Sequence, residues 1–588
     1  MEKLNGVDFF ELFKAGTSSV LQKRKLLNDI NVFPVPDGDT GNNLVYTMQT
    51  ITSESKAEDS FQATIDSISE SALIGARGNS GVIFAQFVNG LRAGSTGKEE
   101  IDVADFSKMA CESVDYVKNA LSNPVEGTMI TVIRDWAYFL DSLKDKVTSF
   151  VDLLEQGYEE AAKSLEGTKE LLKVLKKNKV VDSGAMGFVL FLEGINKFLH
   201  HEKVELEVPE ELAIEDEHEF DEELTYRYCT EGLVQFYPTF DQMALREKLA
   251  PYGDSIVLAK GKDMFRIHIH TDQPGEVFQM LKKEGTIKSQ KVDDMFLDVA
   301  FKNTHSKMAI VTDSIADISS DLMLQYHIYQ IPATVMLEGN AYMDKRTISN
   351  DILFDQIERG VEYPTTATPE VKYVKELIEK LLTKYEELVI VTVASKLSGT
   401  YSMINQVVKP HIEAGKDISV VDSLNNSASE GLLVYHAAQR IKNGASKEEV
   451  VRYLETAKKQ TKILVCLETF KYAMMGGRVP KMVGKIGMAI GLRPIMSLAP
   501  DGSGTAFGFA FSQKGITKKI LKYVKNDMEK QGISSYAIVH CQNEELAKEY
   551  EELFSKELGF GPEYITEISS TVAIHSGKGS VAIGYIKK

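Results

Sequence analysis

The sequence is short of cysteine, of positive charge and of long apolar runs, and each shortage excludes something. Its four cysteines, Cys111, Cys229, Cys466 and Cys541, stand far apart with no Cys-x-x-Cys pair. That argues against a disulfide framework and leads us to expect a reducing, cytoplasmic setting. Lysine and arginine number 67 against 85 acidic residues, a formal net charge of −18. Phosphate backbones are bound by clustered Lys and Arg, so no nucleic-acid partner is expected. No run approaches the roughly 18 apolar residues of a membrane span, and Met1-Glu2-Lys3 leads into a charged segment without the apolar core of a signal peptide. What remains is a 588-residue chain, 43% hydrophobic and 26% charged. Those values fit a soluble globular protein of roughly three or four domains.

From residue 1 to about 200 the apolar residues recur at helical spacing, as in Phe9-Phe10-Leu12-Phe13, Val82-Ile83-Phe87-Val88 and Phe188-Leu190-Phe191. The spacing predicts an all-helical domain. Residues 201–223 are crowded with Glu and Asp and read as a solvated acidic linker. Between 224 and 303, Tyr226–Val234, Ser255-Ile-Val-Leu and Phe265-Arg-Ile-His-Ile-His read as strands, with a helix near Val277–Lys283. A small α/β domain fits. From 304 to 588, Met308-Ala-Ile-Val-Thr-Asp-Ser, Leu388-Val-Ile-Val-Thr-Val, Val420-Val-Asp-Ser and Tyr536-Ala-Ile-Val-His read as buried parallel strands of an α/β domain. Ligands of such a sheet collect near the strands' carboxyl ends.

Residues 31–43, Asn-Val-Phe-Pro-Val-Pro-Asp-Gly-Asp-Thr-Gly-Asn-Asn, hold the strongest chemical signal. Pro34 and Pro36 stiffen the backbone, Gly38 and Gly41 let it turn, and Asp37 and Asp39 become two hard oxygen donors held close together. Mg²⁺ favours one or two carboxylates plus waters and phosphate oxygens, which marks a candidate phosphoryl-transfer centre. A solvated Asp-Gly-Asp turn is the plain alternative. Gly75-Ala-Arg-Gly-Asn-Ser-Gly81 offers backbone N–H groups and a following helix start for a phosphate, although a plain loop into a helix fits as well. Glu126-Gly-Thr-Met-Ile-Thr131 and Val181-Asp-Ser-Gly-Ala-Met-Gly187 add hydroxyls and the carboxylates Glu126 and Asp182.

In this order the segments resemble the nucleotide-binding DhaL domain of dihydroxyacetone kinases, in the branch found in the ATP-binding subunit of bacterial fatty acid kinase, over about residues 5–200. The resemblance implies a helical barrel that binds ATP with two Mg²⁺ ions. Asp37 and Asp39 would be metal ligands and Asn43 would lie at the phosphates. Gly78, Asn79, Ser80, Thr128, Asp182 and Gly184 would line the nucleotide. Where dihydroxyacetone kinases place a third Asp just upstream, this chain offers Asn31 as the remaining Mg²⁺ ligand, with Asp29 nearby. Metal-bridged phosphates neutralise charge during in-line transfer, which leaves positioning as the protein's main task.

In the middle region, His268 and His270 alternate on a predicted strand and so point to one side. With Cys229 they match the ligand types of zinc but lack a fourth; a half-buried polar face fits the same pattern. Tyr228-Cys-Thr-Glu231 and His268-Ile-His-Thr-Asp-Gln-Pro-Gly275 also resemble the middle domain of the same kinase subunit. That resemblance implies a structural Zn²⁺ site at Cys229, His268 and His270.

The last half holds Thr312-Asp-Ser314, Tyr363-Pro-Thr-Thr-Ala-Thr-Pro369, Ser395-Lys-Leu-Ser-Gly-Thr-Tyr-Ser402, Gly476-Gly-Arg478 and His575-Ser-Gly-Lys-Gly579. Each alone suits an ordinary strand-end turn. Hydroxyls of Thr366 and Ser398 with the His575 imidazole would also suit a carboxylate, with apolar residues as an acyl sleeve. Their order resembles the DegV family of fatty-acid-binding proteins across residues 306–588. Two lobes are implied, with a buried acyl chain whose carboxyl is held by Thr366, Ser398, Gly399 and Thr400 and approached by His575. Arg478 would sit near the transferred phosphoryl group or at a docking surface. The chain departs from that family in Ala367, where Ser commonly follows the anchoring Thr, and in Lys578, where Pro is usual.

The chain thus reads as a fusion of kinase and acyl carrier. The expected function is a fatty acid kinase that makes acyl phosphate for phospholipid synthesis from ATP, Mg²⁺ and a bound fatty acid. Expected partners are a second copy in a homodimer, an acyl-phosphate-using acyltransferase and a membrane surface met transiently for lipid exchange, without a transmembrane segment. Two alternatives stay open, a lipid-binding regulator that senses ATP and a kinase for dihydroxyacetone or another small polyol.

Overall fold

The computed structural model describes residues 1–34, 36, 38–201, 224–477, 485, 488, 489 and 491–588. It separates into two compact units, Met1–Val299 and Ala300–Lys588. The acidic segment 202–223 lies outside the described residues, as do Asp37 and Arg478.

The first unit begins with ten helices. They are α1 (Gly6–Gln22), α2 (Arg24–Asp29), α3 (Thr40–Glu54), α4 (Phe61–Gly75), α5 (Gly78–Gly94), α6 (Val103–Ala120), α7 (Met129–Leu143), α8 (Phe150–Leu171), α9 (Lys173–Asn178) and α10 (Ser183–Leu199). Side-chain caps start several of them: Asn5 accepts from the Asp8 N–H at 2.8 Å, Asp102 from Asp105 at 2.9 Å and Asp182 from Ala185 at 2.8 Å. Each satisfies an N–H that the helix leaves without a partner, worth about 1 kcal/mol. The bundle closes on aromatic rings set edge to face, among them Phe84 on Phe191 (5.2 Å between centroids) and Phe87 on Phe188 (5.3 Å). A two-residue ladder, β1 (Lys3–Leu4) with β2 (Ile101–Asp102), is a small addition to the helical expectation.

A four-stranded antiparallel sheet follows in the same unit, in the order β4-β5-β3-β6, with β3 (Tyr228–Phe236), β4 (Gly253–Lys260), β5 (Met264–Thr271) and β6 (Gly285–Asp294). One face packs on α11 (Gln242–Leu249) and α12 (Pro274–Glu284) through Phe265, Ile267, Phe278 and Leu281. The opposite face turns toward the helices, and Leu233, Val257 and Ala259 join the helical core. Backbone and side-chain bonds seal the join: Ser122 N–H donates to Ile256 O at 3.1 Å and Asn89 Nδ2 to Lys260 O at 2.9 Å.

The second unit is built on two sheets. A parallel one runs β13-β12-β7-β8, with β7 (Met308–Asp313), β8 (Ile328–Ile331), β12 (Glu387–Thr392) and β13 (Asp417–Asp422). A small sheet of β9 (Thr334–Leu337), β10 (Asn340–Met343) and β11 (Thr365–Ala367) stands beside it. The other main sheet runs β16-β15-β14-β19-β17-β18, with β14 (Thr461–Cys466), β15 (Arg493–Leu498), β16 (Gly504–Ala510), β17 (Ile533–His540), β18 (Ile565–Glu567) and β19 (Val581–Lys587). Here the parallel expectation is corrected. Tyr536–His540 lies in β17, antiparallel to β19, and only the β17–β18 pair in this sheet is parallel. A short apolar run shows burial on both faces but carries no sign of strand direction. The helix Ser427–Lys442 packs against β7 and β19 alike, so the two lobes share one core.

Candidate functional site

Four helix starts converge in the first unit. A Cβ on Gly78 would lie 2.2 Å from Asn43 Nδ2, and one on Gly184 would lie 3.0 Å from Ser80 Oγ and 3.3 Å from Met129 Cε. The first turns of α3, α5, α7 and α10 therefore meet, and Asn43, Gly78, Ser80, Asp182 and Gly184 come together. Helix starts favour anions, and two of these already serve carboxylates: Gly78 N–H donates to Glu231 Oε1 at 2.5 Å and Ala185 N–H to Asp182 Oδ1 at 2.8 Å. The glycine run is not a loop up to Val82, because α5 already begins at Gly78, which takes a positive φ of 59°. Among the described residues, Asn79 Oδ1 is buried without a hydrogen-bond partner, an acceptor that suits a bound group.

Asp39 is the N-cap residue of α3 but makes no side-chain capping bond. Asn31 is buried just after α2 and its N–H donates to Asn28 O at 3.3 Å. Thr128 caps α7 in position, with its hydroxyl turned back to Val125 O at 2.8 Å. Glu126 is engaged elsewhere, accepting from Thr131 Oγ1 at 2.7 Å and from Arg134 Nη1 at 2.6 Å. Burial pushes the Asp182 carboxyl up to about 6 against the lowering effect of two backbone N–H bonds, from Ala185 and Met129.

The inward face of the middle sheet stands beside this point. Across β5, β3 and β6 one row reads His268, Glu231, Lys291, and the next reads His270, Cys229, Asp293, with Asp254 of β4 outside His270. The Nε2 atoms of His268 and His270 are 3.2 Å apart, and Cys229 Sγ, 3.6 Å from His268 Nδ1, completes a trio with one ligand atom each within 4.8 Å of one another. Each histidine has a carboxylate at its other nitrogen: Glu231 Oε1 is 3.5 Å from His268 Nδ1, and Asp254 Oδ1 is 3.5 Å from His270 Nδ1. A soft thiol and two imidazoles, each oriented by a carboxylate, fit zinc. Burial raises the Cys229 thiol, and Glu231, Asp293 and Asp39 add to the rise against Lys291. The Asp39 charge also acts on His270, so the thiol–imidazole group and the proline–glycine loop share one electrostatic environment. Sequence reasoning passed over Glu231, Lys291, Asp293 and Asp254 as site residues; period-two spacing in Cys-Thr-Glu and Lys-Val-Asp was the signal for the first three.

The second unit holds a cavity of about 770 Å³ between its lobes. Its lining includes Thr366, Ser398, Gly399 and His575, with Lys396 and Ala367, together with the apolar Ile463, Met496, Val539 and Val572. Thr400 does not line it; fully buried, its hydroxyl meets Ser398 Oγ at 2.8 Å and holds it. Nor does Lys578, which pairs with Glu358 at 3.1 Å on the surface. His575 ends the helix Ser570–Ser576, whose start is anchored by Asp317 (to Ser569 N–H, 2.8 Å) and Asp344 (to Ser570 N–H, 2.9 Å). Gly476 abuts the Nδ1 edge of its ring: a Cβ there would be 2.3 Å from Nδ1, 3.2 Å from Cε1 and 3.3 Å from Cγ. Thr312-Asp-Ser314 is internal wiring, with Asp313 accepting from Val393 N–H at 2.8 Å and Ser314 donating to Asp344 at 2.7 Å. Among the described residues no helix is long and apolar enough to cross a membrane.

Three family models match the chain in series. They are the DAK2 domain at residues 34–197, the FakA-like middle domain of fatty acid kinase at 225–302 and the DegV family of uncharacterised proteins at 307–588. An uncharacterized Staphylococcus aureus protein (strain USA300) is 31% identical over 461 residues, covering 74% of this chain and 82% of its own length. An uncharacterized Staphylococcus epidermidis protein is 35% identical over 310 residues, which span 50% of this chain and 56% of that protein. Among solved structures, a fatty-acid-binding DegV family protein of Thermus thermophilus is similar over 48% of this chain and 100% of its own (23% identity, TM-score 0.44). DegV of Bacillus subtilis, described as a fatty acid binding protein, is similar over the same shares (25% identity, TM-score 0.42).

Proposed function

Since the chain belongs to the family of the Staphylococcus aureus relative and carries DAK2, FakA-like and DegV domains in series, we propose that it is an ATP-dependent fatty acid kinase. The observation that carries the reading is the convergence of the starts of α3, α5, α7 and α10 on Gly78, Ser80 and Gly184 beside Asp39. Helix starts gathered at one place, with a carboxylate at the edge, suit a metal-bound polyphosphate better than a neutral ligand, and the N–H groups not already taken by Glu231 and Asp182 are left to meet it. Asp39, with Asp37, would hold Mg²⁺, which would offset the charge of the phosphates.

The acceptor is a carboxylate, because the cavity of the DegV domain combines apolar lining with the hydroxyls of Thr366 and Ser398 and the His575 imidazole. A fatty acid carboxyl has a reference pKa near 4 and is ionised at neutral pH. No general base is required. A carboxylate oxygen attacks the γ-phosphorus, the bond to the ADP oxygen breaks and its electron pair leaves with ADP. Hydroxyl donors hold the attacking group in place, and the apolar lining keeps water from the acyl chain. Joining carrier and kinase in one chain raises their effective concentration to the order of millimolar.

Hydroxylamine traps acyl phosphate as a hydroxamate, so folded, lipid-loaded protein with ATP and Mg²⁺ should yield the hydroxamate of its bound fatty acid. None from such a sample would remove the kinase reading and leave a lipid binder.

A further inference from the structure

α5 begins without help from its own N-cap residue, because Arg77 makes no side-chain capping bond. A carboxylate from the middle sheet takes that place. Glu231, 1% exposed, accepts from Gly78 N–H through Oε1 at 2.5 Å. Its Oε2 accepts from Arg266 Nη2 at 2.9 Å, and Arg266 Nη1 in turn donates to Ile74 O in the last turn of α4 at 3.1 Å. Glu231 Oε1 also faces His268 Nδ1 at 3.5 Å. One side chain therefore joins the end of α4, the start of α5 and a candidate metal ligand. It cannot drift, since every oxygen is engaged and a moved carboxylate would orphan a buried N–H.

Resting on the nucleotide reading above, we propose that Glu231 is a positioning residue that couples metal occupancy at Cys229, His268 and His270 to nucleotide binding at the start of α5. Were His268 to hold the metal through Nε2, its ring would be fixed and its Nδ1–H strengthened as a donor to Glu231, with Cys229 Sγ, now 3.6 Å from Nδ1, drawn to the metal instead. The held carboxylate fixes Gly78 in its left-handed conformation and presents the N–H groups of the first turn of α5 to a phosphate. Ordering them beforehand removes a cost from nucleotide binding. Zinc and ATP thus favour each other's binding, by the same factor in each direction.

The test uses the full chain, stripped of lipid and metal, with ATP and Mg²⁺ titrated by calorimetry in the presence and absence of one equivalent of Zn²⁺. Zinc should tighten the ATP Kd at least about fivefold, and ATP should tighten zinc by the same factor. Glu231→Gln should still take up zinc while the effect on ATP falls below about twofold. Cys229→Ala should behave as metal-free wild type. A wild-type protein that binds ATP equally with and without zinc, or that takes up no zinc, overturns the proposal. So does a Glu231→Gln variant that keeps the full zinc effect, which would then be direct attraction between metal and phosphate. Failure of wild type to bind ATP in either state would instead remove the nucleotide reading. Should Glu231→Gln not fold, the wild-type comparison stands alone and Glu231→Asp, which keeps the charge but shortens the reach to Gly78, should lose part of the coupling.

Discussion

The Nε2 atoms of His268 and His270 lie 3.2 Å apart. Two nitrogens bound tetrahedrally at the usual 2.0–2.1 Å from zinc are about 3.4 Å apart, so the pair is already spaced for one ion. We expect one Zn²⁺ per chain, taken up with release of the Cys229 proton, and none after Cys229→Ala. Asp254→Asn keeps the three ligands but weakens the orientation of His270, which should loosen zinc by about 10- to 100-fold in competition with a chromophoric chelator. Unchanged affinity in Asp254→Asn would show that the carboxylate does not orient the ring.

Gly78 has no room for a side chain and a backbone that disfavours one. Alanine there would meet Asn43 Nδ2 at 2.2 Å and stand at a φ of 59°. The left-handed backbone costs about 1 kcal/mol and the overpacking about 1–3 kcal/mol more. Gly78→Ala should therefore weaken ATP binding at least tenfold, on the order of 1.4 kcal/mol or more. Its co-purified fatty acid, read by native mass spectrometry, should be unaffected. Wild-type ATP affinity in this variant would place the nucleotide elsewhere.

The two-carboxylate loop, the glycine run and the His-x-His pair are legible in the chain because each is local: a few residues carry both the geometry and the chemistry. Glu231 and Lys291 are not local. They face each other only through the register of β3 with β6, and period-two spacing assigns a face without naming the neighbour across the ladder. The start of α5 at Gly78 was hidden for a related reason. Glycine and asparagine are poor helix formers, and the bond that makes up for them comes from Glu231, 153 residues away. Thr312-Asp-Ser314 is the opposite case, a segment whose plain reading is a strand-end turn. Polar residues at a strand end look like ligand contacts, yet Asp313 and Ser314 are fully buried and serve the backbone of neighbouring loops.

In the lipid cavity, Ser398 does more than offer one hydroxyl, since its Oγ also partners the fully buried Thr400 hydroxyl at 2.8 Å. On the proposed reading, Ser398→Ala would remove a hydrogen bond to a charged head group, about 1.5–3 kcal/mol, and leave Thr400 without that bond. Fatty acid affinity should fall by about tenfold or more in fluorescent-lipid displacement. Gly476→Ala acts differently: its Cβ would come within 2.3 Å of His575 Nδ1 and force the ring aside. We expect acyl phosphate formation to drop in Gly476→Ala while lipid stays bound. Equal loss of lipid would mean that His575 serves retention of the fatty acid.

Asp182 makes stability fall as pH rises. Burial lifts its carboxyl from an ordinary value of 3.8 to about 6 in the folded chain, so between these values the folded state holds a proton that the unfolded state has lost. The contribution is fully present below 3.8 and is lost as pH passes about 6, for a total of about 3 kcal/mol. Asp182→Asn keeps an oxygen to accept from Ala185 N–H, and asparagine is as good an N-cap as aspartate. The variant should then be more stable than wild type above pH 6 and equal to it near pH 4. Hydrogen exchange of the α10 amides reads this locally, which suits a chain whose units need not unfold together. Protection that rises with pH in wild type, relative to Asp182→Asn, would mean that the folded carboxyl is stabilised as an anion.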